Sequence, residues 1–432
     1  MRVKKNNLHV NLNLRVRGLR TSATLAINEK SNELQKAGKD VFKLGLGQSP
    51  FPVPDPVVEA LRRNAHQKDY LPVRGLRQLR EAIAEYNFRT QKVESSPDDI
   101  MIGPGSKELI FLLQLVYYGD LIIPTPSWVS YAPQAKIIGH HVHWASTRED
   151  NFWRLSYEEL EAICEKDPDR PRIVILNYPS NPTGYTYPIE RLKLLAQVAR
   201  KYGVVLVSDE IYGGIHHQGQ HVSIARYYPE GTIISSGLSK WCGAGGWRLG
   251  TFSFPPNLKW LQDAVAVVAS ETYTSTSAPI QYAAIEAFKE NAEIDNYLYH
   301  SRKVLRTLAR FFTEKLNSMN IPIQQPHGAF YFFPNFELHR EKLAARDILT
   351  SSALCNAILN ETGVACLPGK DFGCPDEKLT ARLAYVDFDG KKALEAAMQD
   401  HSENGLDENF IRFYCPKLVE AFDRMGNWLA EL

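Results

Sequence analysis

The sequence predicts an α/β protein with a large domain of mostly parallel sheet flanked by helices and a smaller α+β domain. Three observations carry this expectation. Short runs rich in β-branched residues, Ile173–Leu176, Val204–Val207 and Thr232–Ile234, recur along the middle of the chain. Leu192–Lys201, between the first two, spaces its apolar residues as a helix does, and strand–helix alternation of this kind builds parallel sheets. The last hundred residues lose that alternation. They end in a helix opened by Pro416, with Leu418, Phe422, Met425 and Leu429 on one side.

Taken in order, the first 28 residues carry six basic side chains and no acid, which resembles an organelle transit peptide without the apolar core of a secretory signal. Leu8, Val10, Leu12, Leu14 and Val16 alternate with polar residues at strand period, so an extended arm over residues 1–20 is the preferred reading. Six glycines and prolines fall between Gly45 and Pro56, marking a joint. The expected division is 21–53 with 311–432 in the smaller domain, and 54–310 in the larger. No internal repeat is present, and the Asp400–Asn409 insertion has no evident purpose.

Composition narrows the function. The 432 residues fit two or three domains at about 150 residues each. Fifty Lys and Arg balance 49 Asp and Glu, which argues against a nucleic-acid surface. The 44% hydrophobic and 23% charged content is that of a globular chain, not a disordered or collagen-like one. Six cysteines without a C-x-x-C pair argue against a disulfide framework or a structural zinc site. No run of 18 apolar residues occurs, so no membrane span is expected, and a reducing cytoplasm is the expected compartment.

Each central apolar run is followed at once by polar residues: Asn177–Gly184, Ser208–Tyr212 and Ser235–Lys240. Open α/β sheets bind ligands beyond the carboxyl ends of their strands. In the stretch from Gly237 to Gly250, Lys240 is held in a Gly/Ser-rich turn where poor solvation lowers its pKa and frees a nucleophilic amine. Eight residues on, Arg248 offers a planar fork suited to phosphate. A solvated glycine-rich loop is the other reading of the pair. Asp209 stands at the lip of a strand, where it either meets a ligand or caps the next helix, and Tyr212 follows one helical turn later. Asn181 begins Asn-Pro-Thr-Gly, which by itself reads as a connection.

In this order and spacing the residues resemble the class I aminotransferases, pyridoxal-phosphate enzymes of fold type I, with particular likeness to bacterial aspartate and prephenate aminotransferases. The resemblance makes Lys240 the Schiff-base lysine and general base, Arg248 the phosphate arginine, and Asp209 the partner of the pyridine nitrogen. Asn181 and Tyr212 meet the ring's phenolic oxygen, Trp128 stacks on the ring, and Arg382 takes the substrate's α-carboxylate. Gly105, Ser106 and Lys107 resemble the phosphate cup, placed before the apolar helix of Leu109, Ile110, Leu112 and Leu113. Gly47 resembles the glycine that meets the substrate carboxylate, and Gly328-Ala-Phe-Tyr331 is a further typical stretch. Gly237 departs from the pattern, since many relatives carry a phosphate-binding Ser or Thr there.

The resemblance further implies a homodimer with shared sites. Tyr70 would reach the neighbouring subunit's phosphate, and residues 273–277 would help complete the partner's site. Cis bonds are expected before Pro126 and Pro182. Arg20, Thr24 and Lys107 resemble the group that meets a distal carboxylate, which points to aspartate-, glutamate- or prephenate-like substrates, although the two cations read equally as surface charges. Amino-acid and 2-oxo-acid substrates would exchange an amino group by a ping-pong mechanism. Lyases and decarboxylases sharing the same core residues are the alternative. The histidines at 140, 141, 143, 216 and 217 lack acidic or Cys partners for a metal and are expected at the surface or on edge strands. Cys242 is expected to pack.

Overall fold

The computed structural model describes residues 12–19, 21–400 and 406–432. Within them lie β1 (Phe42–Lys43), β2 (Ile100–Gly103), β3 (Asp120–Thr125), β4 (Val142–Ser146), β5 (Arg172–Asn177), β6 (Val205–Asp209), β7 (Thr232–Gly237), β8 (Gly250–Ser253), β9 (Tyr331–Phe332), β10 (Val364–Ala365), β11 (Leu367–Pro368) and β12 (Ala381–Ala384). A seven-stranded sheet runs in the order β2-β8-β7-β6-β5-β3-β4. Its central pairs β3–β4, β3–β5, β5–β6 and β6–β7 are parallel, and β8 alone runs antiparallel to both neighbours.

Period-two alternation sends each strand's side chains into two cores. Ile173, Ile175, Val205, Val207 and Ile233 pack with Leu109, Leu113, Leu261 and Val265 from the helices Ser106–Val116 and Lys259–Thr272. Val174, Leu176 and Leu206 point the other way, onto Leu160, Leu192 and Leu195 of the helices Tyr157–Glu165 and Ile189–Lys201. Each such fully buried side chain contributes about 1.5–3 kcal/mol. This two-sided burial is why the strands read as unbroken apolar runs in the sequence.

The C-terminal part forms a three-stranded antiparallel sheet, β11-β12-β9. β1 pairs in parallel with β10, so the segment ahead of the Gly45–Pro56 joint packs on this part of the chain. The helix Ala292–Ser318 runs without interruption through residue 310. The helix Pro416–Ala430 buries Leu418, Phe422, Met425 and Leu429 as expected, and Phe422 stacks on Phe312 at 4.2 Å.

Three expectations need correction. Residues 13–18 form a turn rather than an extended strand: the Val16 and Arg17 amides donate to the Asn13 carbonyl, and Leu14 is exposed. Local backbone bonds satisfy the segment there without a partner strand; Leu8 and Val10 lie outside the described residues. The bond before Pro126 is cis, but the second cis bond precedes Pro179 and not Pro182. The chain reverses earlier than expected, right after Tyr178, whose hydroxyl accepts from the Ile224 amide. His140, His141 and His143 do lie in or beside the edge strand β4, whereas His216 and His217 are buried. His217 sits between the carbonyls of Pro326 and Ala329, each 3.0 Å from a ring nitrogen, in contacts made 109 and 112 positions along the chain. No metal-ligating cluster and no helix long and apolar enough to cross a membrane occurs among the described residues.

Candidate active site

The register of the parallel strands sets Asn177, Asp209 and Ser235 abreast at the carboxyl ends of β5, β6 and β7. Asp209 is buried beside this row. Its carboxylate accepts from the Tyr131 hydroxyl at 2.5 Å and from Ser235 at 3.3 Å. Burial pushes its pKa up to about 6, and the Tyr131 and Ser235 hydroxyls pull against that rise. Asn177 ties the row together by donating to the Asp209 carbonyl and accepting from the Asn181 amide.

These strand ends form one wall of a cavity of about 450 Å³. Lys240, Arg248, Asp209, Tyr212, Asn181, Arg382, Ser106, Lys107, Trp128, Gly47 and Thr24 all line it. Residues expected to act together but spread from 24 to 382 in the chain therefore converge. Lys240 donates to the Gly47 carbonyl at 2.6 Å. Burial depresses its pKa to about 8, and the Arg382 and Arg248 charges add to the effect. Cys242, two residues on, is buried, and burial pushes its thiol up.

Arg382, in β12, is 1% exposed. It donates to the Asn181 side-chain oxygen at 3.2 Å and to the Gly45 carbonyl at 2.5 Å, while its Nε has no hydrogen-bond partner. A buried guanidinium with an unpaired N–H is a receptor for an anion. A second anion site lies at the start of the helix Ser106–Val116. Gly105 caps this helix with φ +95° and no side-chain cap, and Ser106 and Lys107 of its first turn line the cavity. Arg248 lies directly against it. A Cβ on Gly105 would come within 2.2 Å of Arg248 Nη2, and one on Gly250 within 2.0 Å of the Ser106 amide. Gly105→Ala is expected to weaken cofactor binding about tenfold or more, through both the clash and the positive φ; titrating the cofactor-free protein by fluorescence checks it. The departure at Gly237 also has a cause. A Cβ there would meet the Leu249 carbonyl at 2.6 Å.

At the cavity mouth, the Lys107 ammonium lies 5.0 Å from the Trp128 ring, and Thr24 opens the second turn-forming position of the helix Ala23–Lys36. Arg20 lies outside the described residues. Tyr70 is 89% exposed and does not line this cavity. Sequence reasoning assigned no part to Tyr131, Asn177, Ser235 or Tyr331. Asn177 was findable, since it is the first polar residue after an apolar strand. Tyr131 follows Trp128 by three positions, within the stretch read only for its tryptophan. Ser235 was findable by the same rule as Asn177, and Tyr331 was marked only as part of a family-typical stretch.

The profile of the family described as aminotransferase class I and II matches residues 39–402. The chain belongs to this family. The aminotransferase is 36% identical over 402 residues to an aspartate aminotransferase of Geobacillus stearothermophilus, covering 89% of this chain and 96% of the relative. It is 32% identical over 392 residues to the aspartate/prephenate aminotransferase of Thermus thermophilus, covering 89% and 97%. Among solved structures it is similar to the Thermus thermophilus aspartate aminotransferase with maleate, with a TM-score of 0.82, 29% identity, and 97% and 100% of the two chains covered. The expected fold type I architecture is thereby established. The enzyme is a transaminase that moves an amino group between an amino acid and a 2-oxo acid, with pyridoxal 5′-phosphate as cofactor. The names of these relatives do not favour the lyase or decarboxylase alternative. The site fits the cofactor: an anion cradle at Gly105, Ser106 and Arg248, a low-pKa amine at Lys240, and a buried carboxylate at Asp209.

Proposed function

We propose that this aminotransferase acts on dicarboxylic amino acids, with 2-oxoglutarate as a common acceptor, and that the cavity residues divide the task as follows. The phosphate rests on the Gly105–Lys107 turn and Arg248. Asp209 would hold the pyridine nitrogen, Asn181 and Tyr212 would bind the phenolic oxygen, and Trp128 would cover the ring. When bound and protonated on its ring nitrogen, the cofactor supplies an electron sink for the bond broken at the substrate's α-carbon. Arg382, with Gly47 and Asn181 beside it, holds the α-carboxylate and fixes which substrate bond faces that sink. Lys240 would take the α-proton on Nζ and return it, and an amine with a pKa near 8 is suited to both directions.

The observation that carries the substrate reading is the pair of cationic side chains lining one cavity, Arg382 buried and Lys107 exposed. The neighbour solved with maleate, itself a dicarboxylate, supports it. Thr24 and Arg20 belong to the same distal group. A panel of amino donors against 2-oxoglutarate tests the assignment, with keto acid and transferred amine assayed separately. Arg20→Ala is expected to raise KM for aspartate and glutamate about tenfold or more and to leave monocarboxylic donors unchanged, and Lys107→Ala to raise KM for the dicarboxylic donors more than for monocarboxylic ones. Equal effects on both donor classes would remove the distal-carboxylate assignment.

The working unit is a twofold homodimer in which the partner's Tyr70 reaches each phosphate and the partner's 273–277 segment helps complete each site. The outward position of Tyr70 supports this reading. Sedimentation of the loaded enzyme is expected to return twice the mass of one chain. The two-part division, 54–310 against 21–53 with 311–432, sets the cavity between the parts. Six buried, unpaired cysteines support a reducing cytoplasm.

A further inference from the structure

Tyr331 has no task in this division of labour, although its hydroxyl lies among the polar groups that line the cavity. It is 1% exposed, lies in β9 and lines the site. Its oxygen is 2.7 Å from the Tyr212 hydroxyl, and the Asn181 amide reaches 3.5 Å to both. The Arg382 guanidinium lies 4.8 Å from its ring centre. A Cβ on Gly47 would fall 2.0 Å from the Tyr331 oxygen, so the bare backbone at 47 is what admits this hydroxyl.

We propose that Tyr331 is a positioning residue whose hydroxyl donates to Tyr212, and so orients and polarises the hydroxyl that faces the cofactor's phenolic oxygen. The inference rests on the assignment of Tyr212 to that oxygen. Two facing hydroxyls share one hydrogen bond, so only one of them donates. Tyr212, set against an anionic ring oxygen, donates outward, and its own oxygen must then accept. Tyr331, at 2.7 Å, is the nearer donor, ahead of the Asn181 amide at 3.5 Å. Donation into Tyr212 strengthens Tyr212's own bond, because linked hydrogen bonds polarise one another. Burial pushes both phenols up, so both keep their protons while Arg382, Asp209 and Lys240 face the same space. The carboxylate receptor enters the same network, since Arg382 bonds the oxygen of Asn181 while the Asn181 amide touches both phenols.

Tyr331→Phe removes the hydroxyl alone and keeps the edge-to-face packing on Tyr212, whose ring centre lies 5.6 Å away. The experiment is a spectrophotometric pH titration of the cofactor-loaded enzyme, its Tyr331→Phe and Tyr212→Phe variants, and the double variant. Weaker donation leaves more charge on the phenolic oxygen, which holds the neighbouring nitrogen's proton more tightly. The absorption midpoint should therefore rise, by about half a pH unit in Tyr331→Phe and by more in Tyr212→Phe. The double variant should match Tyr212→Phe, because nothing remains for residue 331 to orient. A midpoint unmoved by Tyr331→Phe but moved by Tyr212→Phe overturns this inference and leaves the Tyr212 assignment standing. One unmoved by Tyr212→Phe overturns both. A further rise in the double variant shows Tyr331 acting independently of Tyr212, which also refutes the proposal.

Discussion

Lys240→Ala is expected to lose turnover by about 10⁴-fold or more, since the nucleophile and the proton carrier are the same nitrogen. The visible absorption of the loaded enzyme should vanish with it, and the cofactor should leave on dialysis. The physical cause is local. Lys240 is held against the Gly47 carbonyl in a cavity it shares with Arg382 and Arg248, and burial depresses its pKa to about 8. The free amine is the reactive form, so its fraction grows as pH rises through that value. Capture of added cofactor by the cofactor-free protein should accelerate with pH across about 7 to 9 and level off above. Stopped-flow absorbance reads both effects. A variant that kept the absorption band would refute the assignment of this lysine.

Asp209→Asn should move activity and stability in opposite directions. A neutral amide cannot hold charge opposite a protonated ring nitrogen, so kcat/KM is expected to fall about 10²–10³-fold. The cofactor-free protein should nevertheless become more stable. Burial pushes the Asp209 carboxyl up to about 6, above its unfolded-state value near 4. Between those pH values the folded chain still holds a proton that the unfolded chain has released. The group's contribution to stability therefore declines as pH rises through that window and stays lowest above it. Asn carries no such charge, and its side-chain oxygen still accepts from Tyr131. At pH 7.5 the cofactor-free variant should melt about 2 °C or more above wild type, with the gap closing as pH falls toward 4. Thermal denaturation by circular dichroism at several pH values measures this. A lower melting point at pH 7.5 would mean that Asp209 is satisfied in the empty site.

The strands were legible because burial on both faces makes each a short β-branched run, and the carboxyl end of such a run is marked by its first polar residues. That rule marks Asp209, Tyr212, Asn181 and Lys240 from the order of residues alone. It also covers Asn177, the first polar residue after its strand. Arg382 was recognised only through family resemblance. Nothing in Ala-Arg-Leu-Ala-Tyr states that its guanidinium sits buried with one N–H unpaired.

The positions that misled did so for one of two reasons: contacts far away in the chain, or local turn bonds that outweigh a strand-like pattern. His216 and His217 look like a polar surface pair, yet the backbone of Pro326 and Ala329 closes over His217. Leu12, Leu14 and Val16 alternate like a strand but have no partner strand, and local turn bonds prevail. Gly47 and Gly105 were marked by resemblance, while the reason they must be glycine lies in the Tyr331 oxygen and the Arg248 fork.

The order of apolar and polar residues along the chain was enough to determine the parallel sheet and the edge on which its chemistry lies, because period-two burial is a local property. Only the tertiary structure decided what surrounds each polar group: the hydroxyls on Asp209, the phenol pair at Tyr212, and the unpaired N–H of Arg382. Proton affinities and hydrogen-bond directions depend on neighbours within a few ångströms, and here those neighbours are up to 337 positions away in the chain.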